Sequence, residues 1–259
     1  MKNVILFPSV KLLSISFAVA FIMTLTSCGT DEVIDPNIST TFLVTIENVS
    51  DNTTLPVGAL PDRTVPLSHG VWAVIERSNL FGIEMLASEG TTRLAEDGVI
   101  SVKTEELSRA PYVIKHGVFT SFAQHGELID PRDYALASGE KSQFEVEATP
   151  GQRLQLQTMF VQSNDWFYAF SKGGLELYNG NTPVSGDVTS ELFLYDAGTE
   201  ADEPLGLGST QKPDQELLAT NVGPDDPEGK VKLAMTKHPT FTIPPTTSVI
   251  KITVQPISE

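Results

Sequence analysis

Residues 144–160 read FEVEATPGQRLQLQTMF and carry the clearest signal for the fold. Apolar residues alternate with polar ones through residues 144–148, and the alternation returns in residues 154–160. A period of two is typical of a strand that buries one face, whereas an amphipathic helix repeats every 3.6 residues. Pro150 and Gly151 separate the two runs and favour a turn. These residues therefore predict an antiparallel hairpin.

Further strand patterns lie on both sides of this hairpin. Apolar or alternating runs occur at residues 42–46, 71–75, 112–119, 166–170, 192–195, 231–235 and 249–254. About eight strands at this spacing favour an antiparallel β-sandwich over a parallel sheet with crossover helices. The predicted fold class is therefore all-β, with long loops and one or two short helices, at residues 79–88 and 102–108.

The composition limits the classes of partner and of metal site. The chain of 259 residues contains 33 acidic and 17 basic side chains, for a formal charge of −16 at pH 7. This argues against a nucleic acid partner, because phosphate recognition needs clustered lysine and arginine. A single cysteine excludes a disulfide framework within the chain and a zinc site built from cysteines. The hydrophobic fraction of 40% suffices for the core of one good-sized domain or two small ones.

The N-terminus has the pattern of a secretory signal. Lys2 gives a basic start, and an uncharged apolar run follows at residues 12–23, which is shorter than the about 20 residues of a transmembrane helix. Residues 25–28 read LTSC and resemble a bacterial lipobox, in which the cysteine receives a lipid. We predict a lipoprotein signal peptide at residues 1–27 and lipidation at Cys28; the alternative is an ordinary secreted protein.

The rest of the chain divides into a tether and a domain. Residues 28–40 contain acids and a proline but few apolar side chains, which indicates a flexible tether. The domain spans residues 41–259 and includes a long loop, residues 201–229, that is rich in glycine, proline and acidic residues. Lipid chains on Cys28 would hold the protein on a membrane. We therefore expect it in the cell envelope, in the outer membrane, on the periplasmic or the surface face.

The sequence lacks the motifs of the common catalytic sites. It has no HExxH, no Walker loop, no GxSxG and no GxGxxG after a predicted strand. The four histidines are scattered without the spacing of a metal site. Asp165 and Glu176 could be posed as the acid pair of a glycosidase, but so acidic a chain offers many such pairs. We therefore predict that the protein is not an enzyme; the alternative is a glycan-active hydrolase of the envelope.

Two acidic segments directly follow predicted strands. Asp165 lies in SNDWF at residues 163–167, and Asp196 begins DAGTE at residues 196–200. Calcium takes six to eight hard oxygen ligands, and acids at adjoining strand ends could supply them. The alternative is ordinary turn chemistry, because aspartate and asparagine often cap loops. The residues alone leave both interpretations open.

The same segments carry a resemblance to a known family. MFVQSNDWF at residues 159–167, GDVT at 186–189 and DAGTE at 196–200 resemble the spondin N-terminal domain, and the similarity covers roughly residues 40–215. Bacterial members of that family are mostly secreted or lipid-anchored, and animal members are matrix adhesion proteins. The resemblance implies an antiparallel β-sandwich similar to calcium-dependent lipid-binding domains. This chain departs from the animal members because it lacks their disulfides.

The resemblance also implies a calcium ion at one edge of the sandwich. By motif match its carboxylate ligands fall on Asp165 and Asp196, with Glu200 at the last position of the second motif. The function that follows is a lipid-anchored, non-catalytic module for adhesion or ligand binding, with a protein or a glycan as the partner. A glycan-binding accessory lipoprotein is a further alternative, in which Trp72 and Trp166 would be stacking platforms if they do not pack in the core.

Replacing Cys28 with alanine should abolish lipidation, because Cys28 carries the only thiol of the chain. Metabolic labelling of expressing cells with a radioactive fatty acid should mark the wild-type protein and leave the Cys28→Ala variant unmarked. The neighbouring Ser27→Ala variant is the matched control and should keep its label. A labelled Cys28→Ala protein would contradict the prediction.

Overall fold

The computed structural model describes residues 34–35, 37–55, 64–76, 80–120, 136–171, 173–212 and 222–257. The predicted signal peptide, Cys28 and the first part of the tether lie outside these residues. None of the helices in the described ranges has the length and apolar character that crossing a membrane requires.

Strands dominate the described residues. In chain order they are β1 Thr40–Asn48, β2 Leu67–Ile75, β3 Val113–Phe119, β4 Lys141–Ala148, β5 Arg153–Phe160, β6 Trp166–Phe170, β7 Leu175–Glu176, β8 Tyr178–Asn179, β9 Thr182–Pro183, β10 Gly186–Asp187, β11 Leu192–Asp196, β12 Lys232–Leu233 and β13 Ile250–Ile257. The helices are α1 Glu89–Asp97, α2 Ser101–Arg109 and the short α3 Ala234–Lys237, and 3₁₀ turns lie at Thr189–Glu191 and Thr246–Ser248.

Two antiparallel sheets form a sandwich, which confirms the predicted all-β fold class. The first sheet has the strand order β10-β13-β1-β4, and the second has the order β12-β11-β6-β5-β2-β3, with β7 on β5. β8 and β9 pair with each other in a separate ribbon. The predicted strand runs fall on long strands except for residues 231–235, of which only Lys232–Leu233 pair with β11 before α3 begins.

The predicted hairpin at residues 144–160 is wrong, although both of its strands form. β4 pairs with β1 in the first sheet, whereas β5 pairs with β2 in the second. The turn between them, where Gly151 adopts φ +91, therefore carries the chain from one sheet to the other. Alternation shows which face of a strand is buried. Because both sheets bury their inner faces against the same core, the alternation does not show which strand is the hydrogen-bonded neighbour.

One of the two predicted helices, at residues 79–88, is misplaced: its described residues form turns, and α1 begins after them. Ser88 caps α1 by accepting a hydrogen bond from the amide of Thr91, and Gly98 ends the helix at φ +69. These two caps, rather than the apolar residues before them, locate the helix. The second predicted helix, at residues 102–108, falls within α2.

Both faces of the second sheet are covered. In β6, Trp166 and Tyr168 face the core shared with the first sheet, whereas Phe167 belongs to a second apolar cluster that includes Leu94 of α1. Burial on both faces explains why β6 is the uninterrupted apolar run WFYAF. The strand that begins at the predicted metal segment is therefore packed on both sides.

Lys103 of α2 is buried and fixes the turns that precede α1. Its Nζ donates to the carbonyl oxygen of Leu80 and to Oγ1 of Thr91, both at 2.9 Å, and lies 3.1 Å from Oε2 of Glu106. Burial lowers the pKa of Lys103, and the negative charge of Glu106 opposes that shift. The ammonium therefore ties the segment before α1 to both helices.

The Lys103→Met substitution should lower the free energy of unfolding by about 2–4 kcal/mol, because it removes one partner from a buried network and leaves its acceptors without a donor. Urea denaturation followed by circular dichroism measures the change. The control is Lys115→Met, since Lys115 forms an exposed ion pair with Glu147 and should contribute little. Equal effects of the two substitutions would contradict the role assigned to Lys103.

Candidate metal centre

The pairing of β6 with β11 brings the two predicted aspartates to one end of the sandwich. Trp166, the first residue of β6, lies opposite Asp196, the last residue of β11. Asp165 directly precedes β6, and its carbonyl oxygen accepts a hydrogen bond from the amide of Ala197 at 3.1 Å. Asp165 and Asp196 therefore stand at adjoining ends of neighbouring strands, as the sequence predicts.

Asp165 is fully buried and has one carboxylate oxygen to spare. Its Oδ2 accepts hydrogen bonds from the amide and the hydroxyl of Thr199, at 2.6 and 3.0 Å, and from the amide of Glu200 at 3.0 Å. Its Oδ1 has no hydrogen-bond partner among the described residues. Burial, followed by the charges of Asp196 and Asp202, raises the pKa of Asp165 well above its ordinary value despite these hydrogen bonds. This oxygen can accept a proton or a cation.

Asp196 is also fully buried, but cations surround it. Its Oδ1 accepts hydrogen bonds from the amide of Gly198 at 2.6 Å and from Nζ of Lys237 at 2.7 Å, and its Oδ2 lies 2.8 Å from Nε2 of His238. Burial raises the pKa of Asp196, but the hydrogen bonds of His238 and Lys237 outweigh it, so the pKa lies below its ordinary value. Asp196 is therefore ionised at neutral pH.

Asp202 extends the site from the loop after β11. Its Oδ1 accepts a hydrogen bond from Nε1 of Trp166 at 2.5 Å, and its Oδ2 lies 2.9 Å from Nε2 of His238 and 3.6 Å from Nζ of Lys237. Burial is the main reason that the pKa of Asp202 is raised, and the negative charge of Asp196 adds to it. The indole of Trp166 thus joins the site to the sandwich core.

Glu200 points away from these groups. Its Oε1 accepts a hydrogen bond from the amide of Gly223 at 3.2 Å, while its buried Oε2 has no partner within the described part of the chain. Burial raises the pKa of Glu200 to about 7, and the charges of Glu96 and Asp97 add to the shift. Glu200 contacts Asp165 through its backbone amide, and its carboxylate belongs to an acidic region beside α1.

Among the residues that the structure describes, one set of side chains is close enough together to bind a metal ion. Asp196, Asp202 and His238 each offer a ligand atom, and these atoms lie within 4.8 Å of one another. Of the three residues that the sequence predicts, only Asp196 belongs to this set, while Asp165 adjoins it and Glu200 lies outside it. We call Asp165, Asp196 and Asp202 the acidic edge.

Two cations of the protein accompany the acidic edge. Burial lowers the pKa of His238, but hydrogen bonds to Asp196 and Asp202 outweigh it and raise the pKa to about 9. The pKa of Lys237 is raised in the same way, because hydrogen bonds and the nearby carboxylates outweigh burial. The ring of His238 also stacks on Trp166, with ring centroids 5.3 Å apart. Both side chains are therefore positively charged at neutral pH.

The sequence does not reveal Lys237 and His238 as members of the site, because their position depends on a strand pairing of only two residues. β12 places Lys232 opposite Asp196, and α3 follows it at once, so residues 237 and 238 return to the acidic edge. His238 is 42 positions away from Asp196, and no local motif joins them. Asp202 follows the DAGTE segment closely, and its proximity to the predicted ligands was the one available signal.

The carboxylates proposed as a glycosidase pair are far apart. Glu176 lies on β7 opposite Arg153, the first residue of β5, and forms an exposed ion pair with it. Asp165 lies beyond the other end of β5, and the length of that strand alone is about 23 Å. Acid pairs of glycosidases are about 5–9.5 Å apart.

Neither tryptophan forms an exposed platform for a sugar. Trp166 is fully buried in the sandwich core. Trp72 is partly buried and stacks face to face on Phe144 of the first sheet, with ring centroids 5.2 Å apart. Both rings therefore serve the packing of the two sheets.

Removing the acceptor oxygens of Asp165 should destabilise the protein even without a metal ion. In the presence of a chelator, Asp165→Ala should lower the free energy of unfolding by about 2–4 kcal/mol, because the donors of Thr199 and Glu200 lose a buried acceptor. Asp165→Asn keeps an acceptor oxygen and should cost less than about half as much. Urea denaturation measures both variants, and equal losses would show that the charge, rather than the hydrogen bonds, matters.

Comparisons with protein families and with curated proteins found no relative of this chain. The resemblance to the spondin N-terminal domain stays a prediction from the residues quoted above. Residues 159–167 and 196–200 adjoin the acidic edge, whereas Gly186–Asp187 form β10 in the first sheet.

Proposed function

We propose that the protein is a lipid-anchored component of the cell envelope, in which a spondin-like β-sandwich binds calcium at the acidic edge. In this proposal the sandwich is a non-catalytic module for adhesion or ligand binding, and the calcium ion holds its binding loops in place. The partner is a protein or a glycan outside the membrane.

The observation that carries the calcium proposal is the spare oxygen of Asp165. A buried carboxylate oxygen that lacks a donor is costly, and Asp165 Oδ1 lies within the electrostatic influence of Asp196 and Asp202. A divalent cation held by Asp196 and Asp202, whose ligand atoms lie within 4.8 Å of each other, would offset the repulsion that these two residues exert on Asp165 and would attract its unpaired oxygen. A bound cation would therefore stabilise the acidic edge more than it would stabilise an ordinary capped turn.

The donor set suits calcium better than a transition metal. Calcium takes carboxylate, carbonyl and water oxygens, and the acidic edge supplies carboxylates from three residues. Zinc and copper favour imidazole nitrogen or thiolate, and Nε2 of His238 is already engaged by Asp196 at 2.8 Å and by Asp202 at 2.9 Å. When bound, calcium would supply positive charge and fix the geometry of the loop at residues 196–202.

Position supports a role in ligand binding. The acidic edge gathers the turn before β6, the loop after β11 and the start of the segment after α3 at one end of the sandwich. Such loops are where binding sites are commonly built on a rigid sheet scaffold. A lipid on Cys28, followed by the tether of residues 28–40, would leave this domain free to meet a partner away from the bilayer.

Calcium should stabilise the wild-type protein, and the two aspartates at the strand ends should be required. For a dissociation constant of about 0.1–1 mM, as in extracellular calcium modules, about 10 mM calcium adds about 1.4–2.7 kcal/mol. That corresponds to a rise in melting temperature of about 3–10 °C. Thermal unfolding of the purified protein, with calcium and with chelator, measures the difference.

The variants Asp165→Asn and Asp196→Asn should lose this calcium-dependent rise, whatever their melting temperature in chelator. Asp187→Asn is the matched control, because Asp187 is exposed on β10, and it should keep the full rise. If the wild-type protein melts at the same temperature with calcium and with chelator, the calcium site is refuted.

A further inference from the structure

We infer that Lys237 is an internal competitor of the metal ion: its ammonium holds the place of the cation at the acidic edge, and calcium must displace it. The inference rests on the proposed calcium site and concerns how that site is regulated. In this inference, Lys237 sets the calcium concentration that is needed to fill the site.

The contacts of Lys237 are those of a bound cation. Its Nζ lies 2.7 Å from Oδ1 of Asp196 and 3.6 Å from Oδ2 of Asp202, and it forms a further ion pair with Asp226. The side chain of Lys237 is only 10% exposed, and those of its three carboxylate partners are 5% exposed or less. One ammonium thus gathers three buried carboxylates, as a metal ion would.

Calcium and this ammonium exclude each other. Calcium binds carboxylate oxygens at 2.3–2.6 Å, and Oδ1 of Asp196 already accepts hydrogen bonds from Lys237 and from the amide of Gly198. A divalent ion held by Asp196 and Asp202 would lie in contact range of the ammonium, where like charges repel strongly because little water separates them. Loading therefore requires that Nζ leave Asp196.

The surrounding structure allows that movement. Lys237 is the last residue of α3, a helix of four residues, and its long side chain can turn outward without moving the backbone. β12 keeps the preceding residues paired with β11. The departure of Nζ would also free the carboxylate of Asp226 as a further oxygen ligand.

Competition of this kind lowers the apparent affinity for calcium without removing the site. The lysine stabilises the acidic edge when calcium is scarce, and the ion takes over only when its concentration is high enough to displace a tethered charge. Lys237 would therefore set the threshold at which the site fills.

Calcium titration of the purified full-length protein in detergent tests the inference. Isothermal calorimetry should show that Lys237→Gln binds calcium at least about tenfold more tightly than the wild type. Lys230→Gln makes the same change in net charge at an exposed position close in sequence and should alter the affinity less than about twofold.

Chemical labelling of lysine amines gives a second readout that needs no variant. Lys237 should be protected from acetylation in chelator, and saturating calcium should raise its labelling rate at least about fivefold, as measured by mass spectrometry. The labelling of Lys230 should not change with calcium, because its side chain is exposed in either state. This measurement decides the question if the Lys237→Gln protein fails to fold.

The outcomes separate the inference from the calcium proposal. If the wild type binds calcium while Lys237→Gln keeps the same affinity and Lys237 stays protected, the inference is overturned and the calcium site stands. If only Lys237→Gln binds calcium, the ion cannot displace Lys237 in the wild type, so both the calcium site of the wild-type protein and its regulation by displacement are overturned. If neither protein binds calcium, both the site and its regulation are refuted.

Discussion

Burial of several carboxylates at one end of a β-sandwich requires a compensating positive charge, and this requirement organises the acidic edge. Water cannot solvate Asp165, Asp196 or Asp202 there, so each must find donors, a proton or a cation. Asp165 uses the backbone amides after β11, Asp202 uses the indole of Trp166, and Asp196 uses the protein's own cations. The loops at this end take their conformation from these contacts.

The same requirement links parts of the chain that are distant in sequence. The turn before β6, the loop after β11 and the residues that follow α3 come together only because β6 pairs with β11 and β11 pairs with β12. After α3 the chain crosses to the first sheet and ends in β13, beside β1. The acidic edge therefore lies at one end of the second sheet, just before the segment that leads to the first sheet.

The extent to which the sequence could predict this structure follows from the range of each interaction. Alternation reports burial residue by residue, so it predicted most of the long strands, but strand pairing depends on distant segments, and the hairpin at residues 144–160 was wrong. The position of Asp165 and Asp196 at adjoining strand ends was predicted because each directly adjoins a strong strand pattern. Lys237 and His238 escaped prediction because the two-residue strand β12 that positions them has no pattern of its own.

An internal lysine at a carboxylate cluster changes what a metal ion can contribute to the fold. If no protein cation were present, the acidic edge would repel itself and the fold would depend on the metal. Lys237 and His238 instead form ion pairs with Asp196 and Asp202, so these two carboxylates are compensated without a metal ion. The net free energy of metal binding is then only the difference between the free energy of the metal–carboxylate contacts and that of the ion pairs that the metal breaks. Under the proposed function, this competition would make the loading of the site depend on the free calcium concentration.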